Sequence, residues 1–345
     1  IGFSDAWFID DKGRDFLGRD RTSLTPEKTL RGRLLSRHRL YLSPNVELIG
    51  ESGWISDRNF LEQYFENEWD QLKDMDTTLR LRRYNGNRMF EVFGQAQVNR
   101  FFTETEWLPR LNHYWLGQDL FSQSVTWNAH THVGYAHQRP APPPTDPVVA
   151  AKFAPLAWES DSEGLRAATR HELSVPLSLG ALRVIPYVSG EVGFWNQDIN
   201  DQEVTRLTGQ AGLRSSLPFW QLNTNVENRL LDLRGLAHKV TLKSDLFYAD
   251  TNQDVLRFPL FDPLDDNSQE HFRRRMIFDT FGGLLPDRFD ERNFAIRSGM
   301  QRWVTAGSTE IVDRTQQARF GIDQRWQTKR GLPGRERIVD LVSLD

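Results

Sequence analysis

The chain has 345 residues, 38% of them hydrophobic and 26% charged, and its 43 basic and 47 acidic side chains leave a formal charge of -4. That balance excludes a disordered polyelectrolyte, and the scatter of basic residues leaves no concentrated footprint for nucleic acid. The absence of cysteine removes disulfides, thiolate metal sites and cysteine nucleophiles. No run approaches the roughly 18 uninterrupted apolar residues of a membrane helix; the most apolar stretch, 148–158, is broken by Lys152 and Pro155.

The sequence opens at Ile1 without a signal segment and reads as a mature protein or an internal fragment. Residues 1–28 read as irregular or as first strands. An acidic, aromatic stretch at 57–69 predicts a short helix with Phe60, Tyr64 and Phe65 on one side. Asn85-Gly86, between extended runs at 79–84 and 87–92, predicts a two-residue type I′ hairpin turn.

From 123 to 138 the chain alternates with period two. Val125, Trp127, Ala129, Thr131, Val133 and Tyr135 share one face, and Asn128, His130 and His132 the other. Loops are expected at 139–164 and 250–291, and a tight turn at 176–180. The proline-rich run 140–147 reads alternatively as a linker between two domains. At 205–217 Leu207, Ala211 and Leu213 oppose Arg206, Gln210 and Arg214. At 236–248 Val240, Leu242, Leu246 and Tyr248 oppose Lys239, Thr241, Lys243 and Asp245.

Such alternation, held for a dozen residues, exceeds the usual strand of about 5 to 6 and predicts an all-β fold, a large antiparallel transmembrane β-barrel occupying 1–345. At about 20 residues per strand and connection, the chain holds roughly 16 strands. Trp127 and Tyr135, eight residues apart, lie about 27 Å apart along a strand and about 20 Å along the membrane normal, matching an apolar band about 25 Å tall edged by aromatic girdles. Val125, Trp127, Val133, Tyr135, Val240, Leu242, Leu246 and Tyr248 are then lipid-facing; Arg206, Arg214, Lys239, Thr241, Lys243, Asp245, Asn128, His130 and His132 are lumen-facing. The competing reading packs the same aromatics between two soluble sheets.

Candidate sites are sparse. His130 and His132 share a face and could bind a metal, but no third ligand is evident by spacing. Asp262, Asp265, Asp266 and Glu270 lack the calcium-loop pattern and read as a solvated rim loop. Lys239, Lys243, Arg206 and Arg214 could contact lipid phosphates or belong to salt-bridge networks. No nucleophile is marked, so the chain reads as a conduit rather than an enzyme, with no cofactor and no metal.

The segment 237–262, AHKVTLKSDLFYADTNQDVLRFPLFD, resembles the barrel of the lipopolysaccharide-assembly family (LptD/OstA) in His238, Lys239, Tyr248, Gln253, Pro259, Phe261 and Asp262. Asp287, Arg288, Asn293, Phe294 and Gly299 continue the likeness, and 56–61, 108–111 and 319–327 are looser matches. The resemblance implies an outer membrane protein of a Gram-negative-type bacterium. Its implied partners are lipopolysaccharide or a similar glycolipid, outer membrane lipids, a plug lipoprotein of the LptE type and a periplasmic transport bridge. The alternative is a passive porin or receptor channel. Two departures stand out: a chain without cysteine cannot form the disulfides of well-known members, and residues before Thr29 are too few for the family's periplasmic β-jellyroll, so a fragment is expected.

Overall fold

The computed structural model describes residues 1–17, 22–70, 75–145, 147–150, 159–259, 261–262, 302–305, 313–332 and 334–344. Among them are sixteen strands: β1 (Gly2–Asp10), β2 (Asp15–Phe16), β3 (Thr22–Leu24), β4 (Leu30–Ser43), β5 (Val46–Ile55), β6 (Thr78–Asn85), β7 (Arg88–Gln95), β8 (Glu104–Leu120), β9 (Val125–Arg139), β10 (Ser162–Ser174), β11 (Leu177–Leu179), β12 (Leu182–Trp195), β13 (Val204–Asn228), β14 (Leu233–Thr251), β15 (Thr315–Arg330) and β16 (Arg337–Leu344). The helices α1 (Phe60–Tyr64), α2 (Glu66–Asp70) and α3 (Pro147–Ala150) are single turns. The expected helix at 57–69 is thus two short ones, and Phe60, Tyr64 and Phe65 pack together beside Trp7.

All strands but β2 and β3 join one 14-stranded antiparallel sheet in the order β1-β4-β5-β6-β7-β8-β9-β10-β12-β13-β14-β15-β16, with β11 paired to β12. Sequential neighbours pair, so each connection turns back at an end of the sheet. The proline-rich stretch does not interrupt it, because β9 pairs β10 directly from Ser162↔Gln138 to Ser174↔Thr126. Among the described residues β1 pairs only β4 and β16 only β15, so both remain edges and the observed fold is one large sheet.

The connections sort by end. β4–β5, β6–β7, β8–β9, β10–β12, β13–β14 and β15–β16 are joined at one end by connections of two to seven residues; β1, β5, β7, β9, β12 and β14 finish at the other end, where the longer connections begin. Short turns and long loops therefore occupy opposite ends. At the β6–β7 hairpin the pairing Asn85↔Arg88 puts Gly86 and Asn87 in the turn, one residue beyond the expected pair. Only Gly86 of the two has positive φ, at 60°, the glycine-first pattern of a type II′ turn rather than I′. The register is fixed across the strand by Arg82, which donates from Nε to Glu91 Oε2 at 2.5 Å.

The two faces of the sheet differ in an unusual way. One face buries Arg31 and Arg33 on β4, Glu47 on β5, Glu91 on β7, Arg110 and Asn112 on β8, His130 and His132 on β9, Arg166, Arg170 and Glu172 on β10, Glu191 on β12, and Arg206 and Gln210 on β13. The opposite face exposes Leu34, Leu81, Val92, Leu111, Val133, Leu165, Val188, Leu207, Leu246 and Ile322. We call these the inner and outer faces. Apolar packing is concentrated toward the long-loop end, where Leu35 and Ile55 meet Phe60, Leu61, Trp69, Met75 and Phe102.

Candidate functional site on the inner face

Many inner side chains are placed by strand parity and then fixed by a partner on a neighbouring strand or an infolded loop. Arg31, wholly buried, uses all five of its N–H donors. Nε and Nη2 donate to Asp57 at 2.9 Å each; Nη1 and Nη2 donate to Asp15 at 2.5 and 3.2 Å; Nη1 also donates to Asp11 at 3.1 Å. All three carboxylates come from the long-loop end. Burial pushes the Asp15 carboxyl up against the opposing pull of Arg31. The Asp11 carboxyl is held low by the hydroxyl of Tyr64 and the backbone N–H of Gly13, with help from Arg31. Tyr64 in turn is pushed up to about 12, first by burial and then by donating to Asp11.

A second loop reaches farther in. Asp262, buried, accepts from Arg110 Nη1 on β8 at 2.5 Å and from Arg166 Nη1 on β10 at 2.7 Å. Arg110 Nε donates to Asn112 at 3.2 Å, and Asn112 Nδ2 donates to Glu91 at 3.1 Å. Phe261 meets Trp107 edge-on at 6.2 Å, and Phe258 packs on Trp195 at 4.5 Å between ring centroids. The base of this loop is held by Arg257, whose Nη2 donates to Asp198 at 2.8 Å. Burial alone would raise the Asp198 carboxyl, but Arg257 and the backbone N–H groups of Asn200 and Gln202 hold it below the ordinary range. Asp262 is therefore a buried clasp and not part of a solvated rim. Asp265, Asp266, Glu270, Asp287, Arg288, Asn293, Phe294 and Gly299 lie outside the described residues.

Toward the short turns the inner face carries an open pocket of about 990 Å³. Its walls run from Leu116 on β8 and Asn128 on β9 across to Arg319 on β15, and residues 302–305 also line it. Strands β8, β9, β10, β12, β13, β14 and β15 all contribute to its lining. Arg214 donates to both oxygens of Glu172 at 2.9 and 3.0 Å and to the backbone carbonyl of Arg302 at 2.9 Å. Its guanidinium also lies over the rings of Tyr187, at 3.7 Å, and Trp303, at 4.1 Å.

The structure brings several sequence-predicted residues together and separates others. Arg206, Arg214, His130 and His132 sit on the buried inner face or the cavity wall, and Asn128 accepts from the Gly117 N–H at the cavity's lower edge. Lys243 pairs with Asp323, and Asp245 with Arg302. Lys239 and Thr241 share that parity but lie where β14 extends past the end of β12, away from the buried network. Val133, Tyr135, Leu242, Leu246 and Tyr248 are exposed on the outer face; Val240 shares its parity and Val125 is half-buried. Trp127 packs on Trp115 and donates to His171 at 3.3 Å. His130 stacks on Tyr114 with ring centroids 4.1 Å apart, and among the described residues no group of three or more His, Cys, Asp or Glu side chains is poised to hold a metal ion.

Arg110, Arg166 and Glu191 were not anticipated from sequence. A signal was present in β10, where Arg166, Arg170 and Glu172 share one parity and Leu165 and Leu173 the other. A stronger one lay in β4, with Arg31, Arg33, Arg37 and Arg39 on one side. The fold and site together define an antiparallel β-sheet protein with reversed polarity: charge and hydrogen bonds within, aliphatic side chains without. No protein-family model matches the chain, and no curated protein matches it.

Proposed function

We propose that this sheet is the membrane-spanning wall of an outer-membrane β-barrel translocon that passes lipopolysaccharide, or a similar glycolipid, to the outer leaflet. The observation that carries the membrane part is the reversed polarity. A water-soluble sheet buries its aliphatic side and solvates its charges, and soluble monomers rarely expose contiguous apolar surface beyond a few hundred Å². Here the aliphatic side chains of strand after strand are uncovered while arginines and glutamates are enclosed, the arrangement expected when hydrocarbon surrounds a wet interior.

Three further features support the reading. Short turns at one end and long loops at the other match the periplasmic and extracellular sides of such barrels. Outward Trp115 and Trp127 lie toward the short turns and Tyr135 and Tyr248 toward the long loops, as interfacial aromatics do. Some hydroxyls on the outer face satisfy one another, Ser4 with Ser36 at 2.9 Å and Thr131 with Thr169 at 2.8 Å, which lowers the cost of facing lipid. Hydrocarbon tolerates no open sheet edge, so the edges of β1 and β16 must be paired in the membrane.

The glycolipid, the plug lipoprotein and the periplasmic bridge come from the likeness of 237–262 to the lipopolysaccharide-assembly family, together with the basic inner wall. Two experiments separate the claims. Depleting the full-length protein in its native cell is expected to lower surface lipopolysaccharide; unchanged surface lipid removes transport and leaves a passive channel. Purified full-length protein is expected to need detergent or lipid to stay monodisperse, and monodispersity in plain buffer overturns the membrane reading.

A further inference from the structure

Among the described residues, the pocket toward the short turns has more cationic than anionic side chains on its walls. Arg183, Arg214, Lys243, Arg302 and Arg319 line it, against Glu172 and Asp245. Three of the cations are matched: Arg214 by Glu172, Arg302 by Asp245 across 3.3 Å, and Lys243 by Asp323. The side chains of Arg183 and Arg319 make no hydrogen bond or ion pair among the described residues. They approach from different walls, β12 and β15. Trp303, which the Arg214 guanidinium overlies, contributes an aromatic surface on residues 302–305.

We infer that this cavity is a binding site for a phosphorylated saccharide, with Arg183 and Arg319 taking the phosphate and Trp303 the sugar. Guanidinium forks match phosphate oxygens bidentately. Hydroxyl and amide groups of Ser174, Ser216 and Asn128 on the same walls supply neutral partners for sugar hydroxyls. A volume near 990 Å³ sits at the top of the range of about 300 to 1,000 Å³ for small-molecule sites, enough for more than one sugar ring. The ligand chemistry rests on the cavity alone. The added statement that this is where a glycolipid headgroup first docks from the short-turn side rests on the translocon reading.

Titration calorimetry on the detergent-solubilised full-length protein tests it, with glucose 1-phosphate, inorganic phosphate, glucuronate and glucose as probes. Glucose 1-phosphate is expected to bind in the millimolar range or tighter, phosphate more weakly, and glucose not at all. Glucuronate binding like glucose 1-phosphate widens the anion class to carboxylated sugars and keeps the site. Arg183→Gln and Arg319→Gln are each expected to weaken glucose 1-phosphate about tenfold, the loss of one charge-assisted contact. Trp303→Leu should weaken the sugar phosphate while sparing inorganic phosphate. Arg183 is exposed and unpartnered, so its variant should melt like the parent; if Arg319→Gln fails to fold, Arg183→Gln decides alone. No measurable binding, glucose binding equal to glucose 1-phosphate, or indifference to Arg183→Gln overturns the site. Binding that survives alongside unchanged surface lipid on depletion keeps the site and removes the translocon.

Discussion

Arg166, enclosed on β10, donates from Nη1 to Oδ2 of Asp262 at 2.7 Å and so ties a loop to a strand 96 residues away. Arg110 holds the other oxygen, and one buried carboxylate thereby bridges two guanidinium groups. Removing one member of such a buried pair costs about 3–5 kcal/mol, because the charge left behind cannot rehydrate. Asp262→Asn should therefore lower the urea midpoint in lipid and open residues 252–262 to trypsin. Adding Arg166→Gln should recover part of the loss. An unchanged midpoint and protease pattern in the single variant would show that the clasp does not hold the loop.

The outer face gives a test with opposite signs for the two environments. Leu207 is 51% exposed on β13. If it faces acyl chains, Leu207→Arg costs about 2–4 kcal/mol near the bilayer midplane. Ser216→Arg, on the same strand but lining the cavity, should cost far less. Reversible folding into liposomes of constant composition measures both. Were Leu207→Arg harmless, the outer face would be a water surface.

Much of this division was legible in the sequence because period two is a local property. The faces of β9, β13 and β14 follow from alternation alone, and Arg206 and Arg214 fall on the inner side as that pattern requires. What alternation could not supply was the contact between distant segments. Asp262 belongs to an acidic stretch that looks solvated when read locally. Its burial depends on Arg110 and Arg166, 152 and 96 residues earlier, meeting across β8, β9 and β10. The one-residue shift at Gly86 has a similar origin: dipeptide preference proposed the turn, and pairing of Arg82 with Glu91 across the strands set it. Lys239 shows the reverse limit, since parity gives its side of β14 but not its height beyond the end of β12.

The Tyr64–Asp11 contact makes the α1 region sensitive to pH at both extremes. Asp11 is held below its unfolded value of about 3.9, chiefly by the Tyr64 hydroxyl, so its contribution is present above that value and is lost as pH falls through the lower folded pKa. Tyr64 is raised to about 12 by burial first and by Asp11 second. Its contribution is full below the unfolded value of about 10 and disappears as pH rises through the folded one. The difference in melting temperature between the parent and Tyr64→Phe should be flat from about pH 5 to 9 and shrink on either side. A difference independent of pH throughout would mean that the lost hydroxyl matters only for packing.

Two glycines three residues apart on β13 separate the faces without introducing charge. A Cβ at Gly209 would have nothing within 4 Å, whereas one at Gly212 would lie 2.6 Å from the ring of Tyr187. Tyr187 cannot simply swing aside: it is buried, accepts at its hydroxyl from Gln210 Nε2 at 2.9 Å, and carries the Arg214 guanidinium on its face. Gly212→Ala should therefore cost about 1–3 kcal/mol, the usual penalty for overfilling a packed site. Gly209→Ala should be neutral or stabilise by about 0.4–1 kcal/mol, through the smaller freedom of the unfolded chain. Urea midpoints in one lipid composition check the pair. Equal effects would contradict the assignment of β13's two sides, because Tyr187 crowds only the inner one.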